Sequence, residues 1–261
     1  MPYVECMKRL CKIGLDIVQE RSHAPDFQRE LSLIIKHRDE LSGTMKQASH
    51  HLKEVTACRS MKDHLEYWNL YLHSSYVTSE LYRSTLRRQK LESESMTNLR
   101  ETCVDSLADT VEAFLGLQNL TAFAKTSWAA IHRALSSSLL LAIMKEPVKN
   151  RRVQPLLEKF MSVMSDVNSD LGPSELPAPV SRSLAALRSL LALHGPNQSQ
   201  TPAEASTSQT KTTDDIAGPS WTVDESPMAA SSASGSSGDN SPYAVRDRIL
   251  WGSTSERTPR T

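Results

Sequence analysis

The chain has 261 residues, and its 30 Lys plus Arg are balanced by 30 Asp plus Glu, so the formal net charge is zero. That balance excludes binding to phosphate backbones by charge alone; short basic runs such as Arg87-Arg88-Gln89-Lys90 and Lys149-Asn150-Arg151-Arg152 fall where helices end or begin. The longest apolar run, Leu139 to Met144, is far short of the roughly 20 residues that span a bilayer, and Lys8, Arg9, Lys12 and Asp16 interrupt any secretory start, so a soluble, intracellular protein with no membrane partner is expected.

The first 194 residues repeat one pattern, apolar positions three and four apart, broken by Ser, Pro and Gly. Val4, Met7, Leu10, Cys11 and Val18 mark a first helix that fades by Arg21-Ser22. Pro25-Asp26 restarts the chain, with Phe27, Leu31, Ile34 and Ile35 as the next stripe, followed by a polar stretch from Ser42 to Thr56. Ser60-Met61-Lys62-Asp63 has the form of a capping box. From it, Met61, Leu65, Trp68, Leu72, Ser75, Ser79 and Tyr82 run along one face of a long helix to about Arg88.

A further helix starts near Thr97, with Leu99, Cys103, Leu107, Val111, Phe114 and Leu115 inward and Gly116 as a weak point near its end. Ser127 is placed to cap the next, whose face is Trp128, Ile131, Leu135, Leu139 and Ala142. That helix turns apolar on every side around Leu139 to Met144, which predicts the most enclosed position in the fold; Pro147 is expected to stop it. Val153, Leu156, Leu157, Phe160, Val163, Met164 and Val167 make another, ending before Gly172-Pro173. Pro179 starts the last, with Leu184, Leu187, Leu190 and Leu191, closed by Gly195-Pro196. No strand alternation and no Asn-Gly turn occurs, so the expected class is all-α: an irregular bundle of about seven helices followed by a disordered tail.

The domain reading is residues 1–194 as a helical regulatory domain, 195–240 as a disordered Ser/Thr/Pro-rich linker and 241–261 as a short aromatic motif and tail. The linker is too polar to bury the surface that ordering requires, and Asp214, Asp215, Asp224 and Glu225 make it mildly acidic. Beyond it, Tyr243, Val245, Ile249, Leu250 and Trp251 are spaced for one or two amphipathic turns, a possible docking motif for this domain or for a partner; Tyr243, Ile249, Leu250 and Trp251 are its candidate contact residues.

Catalytic and metal constellations are mostly missing. There is no Gly-rich phosphate loop, no GxSxG, and the lone Asp-Asp pair, Asp214-Asp215, lies in the polar tail. His50, His51, Glu54, Cys58, His64 and His73 form the best metal candidate, but neither HEXXH nor paired CxxC is present, and a polar inter-helix loop is the preferred reading. Cys6, Cys11, Cys58 and Cys103 make no CxxC pair and read as reduced, buried thiols in helical registers. His132 reads as a half-buried histidine beside Trp128, and the aromatics from Tyr67 to Tyr82 as core rather than a base-stacking platform. No catalytic residue, metal or cofactor is therefore expected, and the chain is read as a non-enzyme.

Several segments together resemble the middle-to-C-terminal regulatory region of fungal zinc binuclear cluster transcription factors. Trp128-Ala129-Ala130-Ile131-His132-Arg133-Ala134-Leu135-Ser136-Ser137-Ser138-Leu139-Leu140-Leu141 is similar to the W-x-x-[IM]-H-x-x-L-S-x-[AS]-L-L-L signature of that region. Tyr67 to Arg88, with Leu72-His73-Ser74-Ser75-Tyr76-Val77-Thr78, resembles the helix before it. Leu184-Ala185-Ala186-Leu187 and Ser241-Pro242-Tyr243 with Ile249-Leu250-Trp251-Gly252 resemble the closing helix and terminal motif. The resemblance implies a nuclear regulator of a metabolic pathway or a secondary-metabolite gene cluster, working through protein partners in the transcription machinery, a DNA-binding factor, a homodimer or a sensed ligand. The six-cysteine zinc cluster of the family has no counterpart among four scattered cysteines, so the DNA contact is expected from another polypeptide or from a longer form of this one. The alternative is a helical scaffold or dimerisation protein unconnected with transcription.

Overall fold

The protein is described by a computed structural model that covers residues 1–23, 27–86, 94–121, 127–170, 178–194 and 241–251, the side chains of 27, 94, 95, 166–170, 194 and 251 excepted. Among these residues the fold is all-α, as the helical periodicity requires, and no strand occurs. Nine helices follow in order: α1 (Tyr3–Ser22), α2 (Phe27–Gln47), α3 (Met61–Leu81), α4 (Glu94–Leu120), α5 (Trp128–Ile143), α6 (Glu146–Lys149), α7 (Val153–Asp170), α8 (Ala178–His194) and α9 (Pro242–Trp251). The two beyond the expected seven are the one-turn α6 and the C-terminal α9. Residues 195–240, the expected linker, lie outside the described residues. No described helix is long and apolar enough to cross a membrane.

α1 buries Cys6, Leu10, Ile13 and Ile17, four positions on one helical stripe, against α2 and α3. The stripe expected to be inward is only partly so: Val4 and Val18 are 59% and 65% exposed and Cys11 is exposed. This helix carries two adjacent apolar stripes, and the core takes one. α2 uses Ile34 and Leu41 inward, while Ile35 stays 44% exposed. It runs through the first part of the expected polar stretch to Gln47, because Leu41, Thr44 and Ala48 continue its buried face; two 3-10 turns, His50–Leu52 and Val55–Ala57, complete the connection. Buried His37 joins the pair, its ring nitrogens 3.2 Å from Glu20 Oε2 and 3.0 Å from Glu40 Oε2.

α3 starts at the expected capping box: the Asp63 amide donates to Ser60 Oγ, and the Ser60 and Arg59 amides donate to the Asp63 carboxylate, which holds that acid below its ordinary range. Of its predicted stripe, Leu72, Ser75, Ser79 and Tyr82 are buried, whereas Met61, in the first turn, is 58% exposed. The helix stops at Leu81 and passes into a 3-10 turn, Arg83–Leu86, short of the expected Arg88. Leu70, Ser74 and Leu81 are buried as well, since α3 packs against α1, α2, α4 and α5 and has little free surface in its second half.

Gly116 proves to be a packing site in the interior of α4. A Cβ there would lie 2.6 Å from Cε2 of Trp68, so the missing side chain lets the indole lie directly on the helix backbone. α5 buries eleven of its sixteen residues, which makes it the enclosed helix anticipated from Leu139 to Met144. Its end lies ahead of Pro147: the helix closes at Ile143, Lys145 takes a left-handed conformation (φ 59°), and Pro147 sits inside α6. Phe114 of α4 meets Phe160 of α7 edge to face, with centroids 5.6 Å apart. Residues 241–251 belong to the same compact unit as 1–194, with α9 packed on α5 and α8.

Candidate functional site

Two adjoining places concentrate polar chemistry, and both are built on α3 and α5. The first is the seat of α9. Pro242 supplies a preset first-turn φ, and one turn of helix then brings Tyr243 and Arg246 onto the same face. Tyr243 is fully buried; its hydroxyl donates to the Ser79 carbonyl at 3.4 Å and lies 4.0 Å from the Cys103 thiol. Burial pushes the Cys103 thiol up to about 12 and the Tyr243 phenol well above its ordinary range, so both stay protonated.

Two guanidinium groups flank the phenol ring, Arg83 at 4.2 Å and Arg246 at 4.8 Å from its centroid. Arg246 is itself 6% exposed. It donates to Ser136 Oγ at 3.0 Å and to Asp247 Oδ1 at 2.8 Å, and faces Glu80 Oε1 at 3.4 Å. Arg83 reaches Asp247 at 3.3 Å and Glu80 at 3.5 Å. Two cations thus share two carboxylates around one aromatic ring, which is what buried charge requires.

Of the expected docking residues, Tyr243 and Leu250 are buried and Ile249 packs against the core, all in contact with their own chain. The side chain of Trp251 lies outside the described residues. The sequence reading missed Arg246, Asp247, Glu80 and Arg83. A period-four pair, Tyr243 and Asp247, with Arg246 between, was visible, but its partners lie more than 100 residues away.

The second place is a groove of about 540 Å³ between α1, α3 and the start of α5. Met7, Cys11, Gly14 and Val18, the second stripe of α1, form one wall, with Leu15 standing 71% exposed at the rim. His73, Tyr76 and Glu80 come from α3, and Ser127 and Arg133 from α5. Ser127 holds the N-cap position of α5 as expected, but its hydroxyl makes no capping hydrogen bond. Arg133 lies 5.4 Å from the Tyr76 ring centroid and makes no ion pair with a described carboxylate. Burial, and secondarily the charge of Arg133, push His73 down to about 4, so its ring is neutral, and its Nδ1 is buried without a hydrogen-bond partner among the described residues.

The other candidates do not assemble. His51 pairs with Glu66 at 3.3 Å and Cys58 donates to the His51 carbonyl, while His73 sits in the groove; among the described residues no three His, Cys, Asp or Glu side chains converge as metal ligands. All four cysteines are free, but only Cys6 and Cys103 are buried; Cys58 is half-buried and Cys11 exposed, because the second stripe of α1 faces the groove. Trp128, expected on the inward face, is 43% exposed: it is the first residue of α5 and lies over His132, with ring centroids 5.7 Å apart. Ile131 and Leu135 are core residues as expected. Tyr67, Trp68 and Tyr71 pack on one another, with Trp68 against Gly116.

No family model, no curated protein and no solved structure matches this chain.

Proposed function

We propose that this chain is the helical regulatory region of a nuclear transcription regulator of the zinc binuclear cluster kind. It acts by protein or ligand contacts, without catalysis, and its DNA contact is supplied from outside these residues. Its targets are the genes of a metabolic pathway or a secondary-metabolite cluster. One observation supports the reading. The four segments that carry the resemblance, scattered from Tyr67 to Trp251, meet at a single junction. Tyr243 of the terminal motif reaches Ser79 of α3, Arg246 reaches Ser136 inside the α5 signature, and α8, with Leu184 and Leu187, packs on both α5 and α9. Three of the four segments supply the residues of one polar cluster, and the fourth packs on two of the helices that carry it.

The mechanism that goes with it is a shift between two states of the α9 seat, docked and released, biased by a partner or ligand that prefers one of them. The test is tethering: the chain fused to an unrelated DNA-binding domain is expected to change transcription of a reporter carrying that domain's site, with Tyr243→Ala altering the response. Reporter output equal to that of the DNA-binding domain alone rejects the reading, and self-association of such an inert chain would point instead to the scaffold alternative.

A further inference from the structure

We propose that the groove between α1, α3 and the start of α5 is a binding site for a small organic acid with an apolar body, its carboxylate paired with Arg133. The inference stands on the geometry of the groove and does not depend on the transcriptional reading.

Three features carry it. The first is unmatched charge. Arg83 and Arg246 each face two carboxylates, and Arg152 pairs with both Asp109 and Glu112. Among the described residues half-buried Arg133 has only the face of Tyr76, and desolvation by burial lowers its pKa. Its one acidic neighbour along the groove, Glu80, is held by Arg246 and Arg83 on the seat side. A guanidinium taken partly out of water without a carboxylate is unfavourable unless a ligand supplies one, and its planar fork matches a carboxylate.

The second feature is the neighbouring polar group. His73 is kept neutral, so it can donate one hydrogen bond and accept another, and its Nδ1 has no partner in the described protein. An acid oxygen close to Arg133 would meet a donor there instead of a second positive charge. The third is the wall. Met7, Leu10, Cys11, Leu15, Val18 and Val77 make the remainder of the cavity mostly apolar, and about 540 Å³ falls in the usual range for small-ligand sites. Leu15 and Val18, exposed by 71% and 65%, would be covered by the body of such a ligand. One end positive with a neutral imidazole beside it, the other apolar, describes an amphipathic monocarboxylate. A phosphate or a nucleotide would find one guanidinium, the carboxylate of Glu80 and a mostly apolar wall.

Dodecanoate and dodecanol, titrated calorimetrically into the purified full chain, separate charge from apolar body. Dodecanoate is expected to saturate one site and to bind more tightly than dodecanol. Arg133→Gln should weaken dodecanoate at least about tenfold, the equivalent of one charge-assisted hydrogen-bonded pair, and leave dodecanol unchanged. A second variant guards against a folding defect at Arg133. At Gly14 a Cβ would lie 3.6 Å from Val77 Cγ2, an ordinary contact, so Gly14→Leu should keep the helical circular dichroism and fill the slot. It is expected to abolish binding of both probes and to leave the Cys11 alkylation rate insensitive to dodecanoate, whereas in the parent chain dodecanoate slows it. The proposal is overturned if dodecanoate does not bind, if its uptake is unsaturable, if it binds no better than dodecanol, or if both variants bind it like the parent. A groove meant for a partner helix would give the first of these results.

Discussion

The seat of α9 and the groove beside it share α3, α5 and the side chain of Glu80, yet they treat charge in opposite ways. In the seat every buried cation faces a carboxylate, the aromatic ring between them is fully enclosed, and the occupant comes from the same chain. In the groove the cation makes no ion pair with a described carboxylate, the apolar wall is open, and no described segment fills it. The seat therefore contributes to stability, while the groove carries a standing desolvation cost with no internal return. Residues of the first kind belong to the fold, and residues of the second kind are the better candidates for what the protein does.

The comparison is broken most directly at Tyr243. Tyr243→Ala removes a fully buried ring with a guanidinium on each side and should destabilise the helical unit by about 3–4 kcal/mol in urea unfolding. If α9 instead detaches as a unit, limited proteolysis will cut within 242–251 while 1–194 stays protected; an unaltered midpoint together with full protection would show that the seat does not hold α9 as described. Arg246→Met comes next, at about 2 kcal/mol. Breaking a buried pair costs more than that in general, but Glu80 keeps Arg83 and Asp247 is 39% exposed, so neither acid is fully stranded.

Two helix glycines sharpen the contrast from the packing side. Gly116→Ala drives a methyl into the Trp68 indole, against which the ring must move, and should destabilise by about 1–3 kcal/mol. Gly14→Ala, in the groove wall with Val77 Cγ2 at 3.6 Å, removes helix-interior glycine without a clash and should stabilise by about 0.5–1 kcal/mol. Thermal melts of the two variants should move in opposite directions. Equal shifts would mean that the two helices are not packed as described.

The groove also gives the protein a pH dependence. His73 is depressed from the ordinary 6.5 to about 4, first by burial and second by Arg133. A histidine depressed in the folded state takes up its proton more readily when unfolded. The stability it contributes is present above pH 6.5 and is lost as pH falls from about 6.5 toward about 4. His132, depressed by its own burial, adds in the same direction, whereas Asp63 and Glu20, held low by hydrogen bonds, lose their contribution only at more acid pH. Urea midpoints followed across that window should slope downward with acid, and His73→Gln should flatten the slope. An unchanged slope in the variant would place the titration elsewhere.

Much of the fold was legible in local pattern, and the exceptions have identifiable causes. The capping box at Ser60 and Asp63 was readable because its two hydrogen bonds are contained within four residues. The buried faces of α4, α5 and α7 were readable because each helix has a single apolar stripe or is apolar all round. Position 61 misled, since the first turn of a helix can follow the stripe's spacing and still project beyond its neighbours. On α1 the two stripes, Cys6-Leu10-Ile13-Ile17 and Met7-Cys11-Gly14-Val18, differ by a rotation of one residue, and periodicity cannot say which meets the core. Gly116 looked like a helix weakness because the Trp68 ring that occupies its missing side chain is on another helix.

By itself, then, the sequence determined the class of structure: helices, the capping box at Ser60 and most of the inward faces, all set by interactions between residues three or four apart. It also pointed to Tyr243, Ile249, Leu250 and Trp251 as a docking motif, of which the structure shows Tyr243 and Leu250 buried and Ile249 packed against the core of their own chain. Only the tertiary structure decided where they anchor, that Arg246 shares their seat with Glu80 and Ser136, and that Arg133 pairs with no described carboxylate. Whether Arg246 meets Glu80 and Ser136 depends on distances between residues more than 100 positions apart, and no local periodicity carries that information.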